Sequence, residues 1–170
     1  MSIVGKNLSP NILLSISGLL AAFDQVVKWL VQQSMPYGES IPVTSFFNWV
    51  HVWNTGAAFS FLANGEGWQR YFFIGIAVVV SIVLIVLIRD NRHKREAIAY
   101  SFILGGACGN LIDRIFRGYV VDSFDFYWRS WHWPAFNIAD IAIVIGALLL
   151  VFTILVSENT NAKTEPNRYN

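Results

Sequence analysis

Four long apolar stretches decide what this chain is able to fold into. Residues 71–88 contain no charged residue, and the other three stretches hold charged residues only towards one end. A helix that crosses a lipid bilayer needs about 20 predominantly apolar residues. The sequence therefore predicts four transmembrane helices, at about residues 11–31, 68–88, 97–115 and 138–156.

The composition agrees with a single integral-membrane domain over residues 1–170. Hydrophobic residues make up 55% of the chain and charged residues 14%, whereas a soluble domain carries roughly 25% charged residues. The net charge of +1 argues against nucleic acid as a partner, because nucleic-acid-binding proteins present a basic patch or stripe. The three histidines and the single cysteine show no metal-ligand spacing, so neither a metal ion nor another cofactor is expected.

The distribution of Lys and Arg predicts the orientation of these helices. Residues 89–96 read RDNRHKRE and hold four basic residues, whereas residues 32–67 hold none. Cytoplasmic loops of membrane proteins are enriched in Lys and Arg. We therefore expect residues 89–96 and both termini to be cytoplasmic, and residues 32–67 and 117–137 to face outward. Arg117 and Arg129 in the second outer segment depart modestly from this rule.

In this topology the polar residues within or beside the apolar stretches fall near the outer face of the membrane. A charge at membrane depth is costly, so it normally pairs with another charge or lines a cavity. The convergence of these residues on one leaflet predicts a single polar site there. The residues concerned are Asp24, Lys28, Arg70, Asn110, Asp113, Arg114, Asp122, Asn137 and Asp140.

Structural roles are an open alternative for several of these residues. Asp140 stands at the start of an apolar run, where an N-cap residue satisfies unpaired backbone N–H groups, and Asn137 is a second candidate for that role. Asp24 and Lys28 are four residues apart, which is the spacing of an ordinary ion pair on one helix face. For this pair we favour the structural role.

The outer segment of residues 32–67 has the pattern of short strands. It is rich in aromatic and β-branched residues interrupted by Gly, and this composition favours strands over a helix. Trp and Tyr also concentrate in residues 126–134, as is typical of a membrane–water interface. A small sheet resting on the outer leaflet would explain both features, and an interfacial anchor that binds no ligand is the alternative.

Two carboxylates, Asp122 and Asp140, flank the short aromatic connection before the fourth apolar stretch. Two carboxylates that approach closely share a proton, because both cannot easily ionise. One member then takes a proton from water while the other gives a proton to a leaving group. Such a pair hydrolyses a peptide bond without a metal ion. Spacing alone leaves Asp113 and Asp125 open as rival partners.

Five short motifs occur in a particular order along the chain. They are FDQVVK at 23–28, NTGAAFSFL at 54–62, GGACGNLIDR at 105–114, VVD at 120–122 and FNIAD at 136–140. Together they resemble the bacterial lipoprotein signal peptidase (signal peptidase II) family, over nearly the whole chain. The resulting expectation is an all-α membrane protein with four transmembrane helices, a small extracytoplasmic β-cradle, and an interfacial helix or loop that closes over substrate.

The resemblance implies an aspartic endopeptidase of the bacterial inner membrane, expected to be a monomer. Its substrate would be a diacylglyceryl-modified prolipoprotein held in membrane lipid and cut just before the lipidated cysteine. The catalytic aspartates of the family match Asp122 and Asp140, and its inhibitor is the cyclic peptide globomycin. Ser123 stands where family members often carry a larger apolar residue. The residues implied to shape the site are Asp24, Lys28, Asn54, Gly56, Asn110, Arg114 and Asn137.

The alternative class of function is a small membrane scaffold or a transporter component, in which the charges only hold helices together. Transporters typically contain repeats and bind substrate near the middle of the membrane. This chain has no internal repeat, and its polar residues are not central to the apolar stretches. A scaffold would be folded but catalytically inert, so a cleavage assay separates the two classes.

Overall fold

The computed structural model describes residues 8–56, 67–90 and 96–164, with side chains described as far as residue 156. Within these residues the chain forms four helices and four strands. In chain order they are α1 (Pro10–Ser34), β1 (Ser40–Thr44), β2 (Phe47–Asn54), α2 (Trp68–Arg89), α3 (Ala97–Phe116), β3 (Val120–Trp128), β4 (Trp131–His132) and α4 (Ile138–Thr164). The strands therefore come from the two segments that were expected to face outward.

The helices begin within one residue of their predicted starts. The fourth span was predicted to end at residue 156, where the apolar run ends, and α4 itself continues to Thr164. The apolar part of α4 is Ile138–Val156, so the predicted membrane segment itself is unchanged.

Three of the described helices are long and apolar enough to cross a membrane. They are Pro10–Ser34, Trp68–Arg89 and Ile138–Val156, with mean hydropathies of 1.4, 3.1 and 2.8. α3 is not among them, and its last turns carry Asp113 and Arg114. Because α3 packs against each of the other three helices, many of its side chains meet protein rather than lipid. A membrane crossing by α3 stays a prediction.

Small residues of α3 allow α1 and α4 to approach it closely. A Cβ atom added at Gly109 would lie 2.6 Å from Asp24 Oδ2 and 3.2 Å from Ala139 Cβ. At Gly106, an added Cβ would overlap the carbonyl oxygen of Ala139. The glycine-rich stretch of α3 thus brings the polar part of α1 and the first turn of α4 close to each other.

The four strands form one antiparallel sheet in the order β1-β2-β3-β4. Along β2 and β3, Val52 pairs with Asp122 and Trp49 pairs with Phe124. β2 therefore has one extra residue between these pairs, which is a bulge, and bulges change the direction of nearby side chains. The small sheet that was expected is confirmed, so the fold is helical with a β-sheet rather than purely α.

Two features expected from the sequence lie outside the described residues. Residues 57–66 of the outer segment 32–67, which was expected to include an interfacial helix or loop that closes over substrate, are among these, and so is most of the basic loop at residues 89–96, namely residues 91–95. Both stay predictions.

The surfaces of α1, α2 and α4 expose large apolar side chains. Leu19 is 71% exposed, Val79 is 60% exposed and Leu148 is 65% exposed. Soluble proteins rarely expose contiguous apolar patches of this kind. These surfaces suit contact with lipid, while the buried apolar cluster between α1, α2 and α3 forms the interior. That cluster consists of Leu13, Leu84, Ile88, Ala97, Tyr100 and Leu104.

Candidate active site

Asp122 and Asp140 line the same cavity, which has a volume of about 760 Å³. Asp122 lies on β3 and Asp140 lies in the first turn of α4, so two separate elements bring the carboxylates together. Three other residues implied by the resemblance, Asn54, Asn110 and Arg114, also line it. The rest of the lining is mostly apolar: Val52, Trp53, Val120, Trp133, Pro134, Ala135, Phe136, Ile141, Ile143, Val144 and Ile145, together with Thr55.

The first turn of α4 holds Asp140 through a reciprocal pair of hydrogen bonds. The Asp140 backbone N–H donates to Asn137 Oδ1 at 3.0 Å, and the Asn137 backbone N–H donates to Asp140 Oδ2 at 3.2 Å. This is the pattern of a capping box, with Asn137 as the N-cap residue. The other carboxylate oxygen, Oδ1, accepts from Asn110 Nδ2 at 2.8 Å. Of the two N-cap candidates, Asn137 therefore occupies that position, and Asp140 completes the box from the first turn while presenting its other oxygen to Asn110.

Two asparagine side chains hold the Asp122 carboxylate. Asn137 Nδ2 donates to Asp122 Oδ1 at 2.7 Å, and Asn54 Nδ2 donates to Asp122 Oδ2 at 3.1 Å. Asn137 thereby contacts both aspartates, one through its side-chain amide and the other through the capping box. Asn54 is the last residue of β2, so the pairing of β2 with β3 delivers it to the site.

The environment of Asp122 favours its protonated form. Burial, and then the nearby charge of Asp140, raise the pKa of Asp122 to about 7, although the amide hydrogen bonds from Asn137 and Asn54 oppose this shift. Burial disfavours the charged form of a carboxyl group, and a like charge nearby does the same. This carboxyl group therefore holds a proton at a higher pH than an exposed aspartate does.

Arg114 connects the cavity with the end of β2. Its Nη2 donates to the Gly56 carbonyl oxygen at 3.0 Å, and its Nη1 donates to the Asn110 carbonyl oxygen at 3.3 Å. The guanidinium carbon also lies 5.1 Å from the centre of the Phe73 ring. The Gly56 backbone N–H donates to Asn54 Oδ1 at 3.0 Å. Gly56 thus takes part through its backbone.

Asp24 and Lys28 lie behind the site in a buried ion cluster. Lys28 Nζ is 2.8 Å from Asp24 Oδ2 and 2.8 Å from Asp113 Oδ2, and all three side chains are buried. Asp24 Oδ1 accepts from the Ala139 backbone N–H at 2.9 Å, and Asp113 Oδ2 accepts from the Val121 backbone N–H at 3.1 Å. Each carboxylate therefore holds the backbone one residue before a cavity aspartate.

Two members of this cluster were not foreseen from the sequence. Arg117 forms an ion pair with Asp113, and its Nη1 donates to Gln25 Oε1 at 2.8 Å. Gln25 Nε2 in turn donates to Asp113 Oδ1 at 2.9 Å. The available signal was the four-residue spacing of Asp113 and Arg117 on one helix face. This ion pair also gives a reason for Arg117 in the segment 117–137, which was expected to face outward and therefore to contain few basic residues.

The rival carboxylates are engaged elsewhere. Asp113 belongs to the ion cluster, and Asp125 accepts from Asn48 Nδ2 at 2.8 Å while lying 2.9 Å from His132 Nδ1. Neither residue lines the cavity. The hydroxyl of Ser123, where family members often carry a larger apolar residue, is buried and has no hydrogen-bond partner among the described residues. The described ranges contain no cluster of three or more His, Cys, Asp or Glu residues suited to a metal ion.

Comparison with known proteins gives a consistent result. Residues 16–156 match the family model described as signal peptidase (SPase) II. The chain is 76% identical to the lipoprotein signal peptidase of Serratia marcescens, over 98% of both chains. It is 49% identical to the lipoprotein signal peptidase of Actinobacillus succinogenes, over 80% of this chain and 85% of that protein.

Solved structures agree at the level of the fold. A bacterial membrane enzyme determined by the in meso method at 2.3 Å resolution superposes with a TM-score of 0.79 at 30% identity, covering 93% of this chain and 95% of the other. A second one, at 1.9 Å, gives a TM-score of 0.73 at 32% identity, covering 85% and 93%. The family match, the close relatives and the shared fold together establish that this chain belongs to the signal peptidase II family of membrane peptidases.

Proposed function

We propose that this protein is an aspartic endopeptidase that removes the signal peptide from diacylglyceryl-modified prolipoproteins, cleaving just before the lipidated cysteine. The observation that carries the proposal is the convergence of Asp122 and Asp140 on one cavity, with Asn137 hydrogen-bonded to both. Family membership supports the peptidase activity, and the names of the relatives support lipoprotein precursors as the substrate class.

The reaction follows from a carboxylate pair that shares one proton. The ionised carboxylate takes a proton from water as the water oxygen bonds to the scissile carbonyl carbon. The protonated carboxyl group gives its proton to the amide nitrogen as the C–N bond breaks. The pair thus keeps one proton through the cycle. The raised pKa of Asp122 favours this residue as the protonated member of the pair.

The two kinds of cavity wall suit the two parts of the substrate. The apolar side chains of α4 that line the cavity, including Ile141, Val144 and Ile145, suit the apolar signal peptide. The polar wall carries the carboxylates that meet the scissile bond. In this arrangement the substrate enters sideways from lipid, and globomycin-like cyclic peptides occupy the same cavity.

The membrane placement is part of the proposal. We place four helices across the bacterial inner membrane, both termini in the cytoplasm, and the cavity near the outer leaflet. The basic loop at residues 89–96 supports this orientation through the positive-inside rule. The apolar surfaces of α1, α2 and α4 supply the lipid contacts that it requires.

A cleavage assay with three single variants tests the mechanism. Purified protein in detergent is mixed with a diacylglyceryl-modified prolipoprotein, and loss of the signal peptide is followed by gel shift. We expect wild type to cleave, and Asp122→Asn and Asp140→Asn to be at least about 100-fold slower, since general acid–base groups contribute about 100- to 10,000-fold. Asp125→Asn changes a carboxylate outside the cavity and should stay within a few fold of wild type.

The outcomes separate the alternatives. Full activity of folded Asp140→Asn would show that this residue only caps α4. Equal losses in all three variants would point to a general effect on the fold. If folded wild type leaves a verified substrate intact, the proposed function is wrong and the scaffold becomes the favoured alternative.

A further inference from the structure

The ammonium group of Lys28 has every one of its hydrogen-bond donors occupied. Its Nζ lies 2.8 Å from Asp24 Oδ2, 2.8 Å from Asp113 Oδ2 and 3.0 Å from Asn110 Oδ1. The Lys28 residue is 0% exposed, so water does not replace any of these partners. A lysine ammonium has three donors and no acceptor. The Asn110 atom that faces it must therefore be the amide oxygen.

This contact fixes the direction of the Asn110 amide. With its oxygen held by Lys28, the amide nitrogen faces Asp140 Oδ1 at 2.8 Å. Rotation of the amide by half a turn would place its NH₂ group against the ammonium and its oxygen against the carboxylate. Both new contacts would be repulsive. Only one orientation of Asn110 is therefore compatible with the charges on its two sides.

The other two asparagines of the site are fixed in a different way. Asn54 Oδ1 accepts from the Gly56 backbone N–H, and Asn137 Oδ1 accepts from the Asp140 backbone N–H. Both of those donors are backbone groups within three residues of the asparagine. Asn110 instead depends on a side chain of another helix. Among the described residues that line the cavity, none belongs to α1, so α1 acts on the cavity from behind.

We propose that Lys28 is a positioning residue for peptide hydrolysis, whose buried ammonium holds the Asn110 amide so that its N–H stabilises the ionised carboxylate of Asp140. This role rests on the proposed aspartic mechanism and adds a residue to it that lies outside the cavity. Loss of a hydrogen bond to a charged group lowers an equilibrium constant or a rate by about 10- to 100-fold. The loss of this contact should therefore appear in kcat, with little change in KM.

The variant has to keep the buried charges balanced. Replacing Lys28 alone would leave Asp24 and Asp113 with only Arg117 as a counter-charge, and an unpaired buried charge is strongly destabilising. The double replacement Lys28→Met/Asp24→Asn removes one positive and one negative charge. Asn at position 24 still offers an oxygen to the Ala139 N–H. Arg117→Met is the matched control. It removes the other cation of the same cluster, whose side chain is 23% exposed to water rather than buried, and it leaves the contact between Lys28 and Asn110 in place.

A double-mutant cycle tests whether Lys28 acts through Asn110. Initial rates of prolipoprotein cleavage are measured for Lys28→Met/Asp24→Asn, for Asn110→Ala and for their combination, each corrected for the folded fraction. We expect the first variant to lose about 10- to 100-fold in kcat with KM within about twofold, and the combination to be no slower than Asn110→Ala alone. Arg117→Met should keep the kcat of wild type.

Three results would overturn the proposal. The first is a kcat of Lys28→Met/Asp24→Asn equal to that of Arg117→Met. In the second, the combined variant loses kcat by the product of the two separate fold-losses. That result would mean that Lys28 acts through the backbone rather than through Asn110. The third comes from Asn110→Ala, which keeps the ion pairs of Lys28 with Asp24 and Asp113 and removes the donor facing Asp140. Wild-type kcat in that variant overturns the proposal even if the other variants do not fold.

The same assay separates this inference from the proposed function. Absence of cleavage by wild type would remove the proposed function itself. A different set of results would leave the function standing and remove only the role of Lys28. In that set wild type cleaves, Asp122→Asn and Asp140→Asn are inactive, and the fold-losses in kcat multiply in the cycle.

Discussion

Three asparagines surround the two aspartates, and each turns its amide NH₂ group towards a carboxylate oxygen. Asparagine suits this task because its short side chain carries an acceptor and a donor on opposite sides. The acceptor side of Asn54, Asn110 or Asn137 receives a fixed donor, so the donor side is directed at the aspartate. The result is a set of N–H groups that stabilises negative charge on the pair without adding a positive charge.

The raised pKa of Asp122 predicts how the rate of cleavage depends on pH. Burial and the charge of Asp140 raise this pKa to about 7, so the carboxyl group keeps its proton up to that pH. Above that pH Asp122 loses the proton that it gives to the amide nitrogen. We expect kcat/KM, which reports the free enzyme, to fall about tenfold per pH unit above about pH 7. A constant kcat/KM between about pH 7 and 9 would contradict this, and Asp125→Asn should show the wild-type profile.

Residue spacing did not show which two aspartates form the carboxylate pair, and the structure explains why. The four candidates were Asp113, Asp122, Asp125 and Asp140. Asp122 and Asp125 lie three residues apart on the same strand, so alternation places them on opposite faces but does not show which face meets the cavity. The bulge in β2 and the positions of Asn48 and Asn54 decide which of the two meets the cavity and which meets His132. Such decisions depend on neighbouring strands, which a single sequence does not reveal. The order of the family motifs was what identified Asp122.

At the scale of elements, α3 organises the site. It packs against all three other helices, and its glycines admit α1 on one side and α4 on the other. The polar residues of α3 then face the cavity and the ion cluster instead of lipid. This explains why the helix that contributes Asn110 and Arg114 is also the one that is not among the three most apolar helices.

Gly109 gives a prediction at this scale. A Cβ atom there would lie 2.6 Å from Asp24 Oδ2, so Gly109→Ala should displace Asp24 from the Ala139 N–H and lower the free energy of unfolding by about 1–3 kcal/mol. The apparent unfolding temperature, measured in one detergent at one scan rate, should fall by several degrees. Gly75→Ala on α2 is the control, since no atom lies within 4 Å of its added Cβ. Equal behaviour of the two variants would show that the approach of α1 to α3 is not tight.

The helices were predictable because each apolar run has a clear start. β3 was not predicted as a continuous strand, although the outer segments were expected to contain a sheet. Its sequence VVDSFDFYW carries two aspartates, and its residues are buried on both faces over the first part of the strand. A strand of this kind lacks the alternation of apolar and polar residues by which strands are usually recognised. Hydrogen bonds to β2 and to Asp113 on α3 hold this segment as a strand, and the sequence pattern does not reveal these partners.

At the scale of the whole molecule, the arrangement places the sheet and the cavity at one end of the helices. β3 and the first turn of α4 meet near the end of α3, and the apolar cluster around Leu13, Ile88 and Ala97 lies near the opposite end. If the proposed orientation is correct, the cavity end faces outward and the basic loop faces the cytoplasm. The distribution of Lys and Arg in the sequence is what predicts this orientation.

Cysteine labelling tests the orientation. In a Cys108→Ser background, Ser130→Cys places a thiol in the exposed turn between β3 and β4, and Asn91→Cys places one in the basic loop. We expect a membrane-impermeant maleimide to label the first variant in intact spheroplasts and the second only after lysis. Labelling of Asn91→Cys in intact spheroplasts would reverse the proposed topology. Cleavage activity of both variants serves as the control for folding.

The ion cluster between α1 and α3 also bears on how the protein is assembled. Chains are synthesised from the N terminus, so Lys28 is already in place when Asp113 is made. Lys28 has Asp24 as a partner within α1, and Asp113 has Arg117 at the end of its own helix. Each helix therefore carries a counter-charge of its own before the two helices meet. When they dock, the two local ion pairs merge into one cluster, so the cavity end is completed only after α3 has been made.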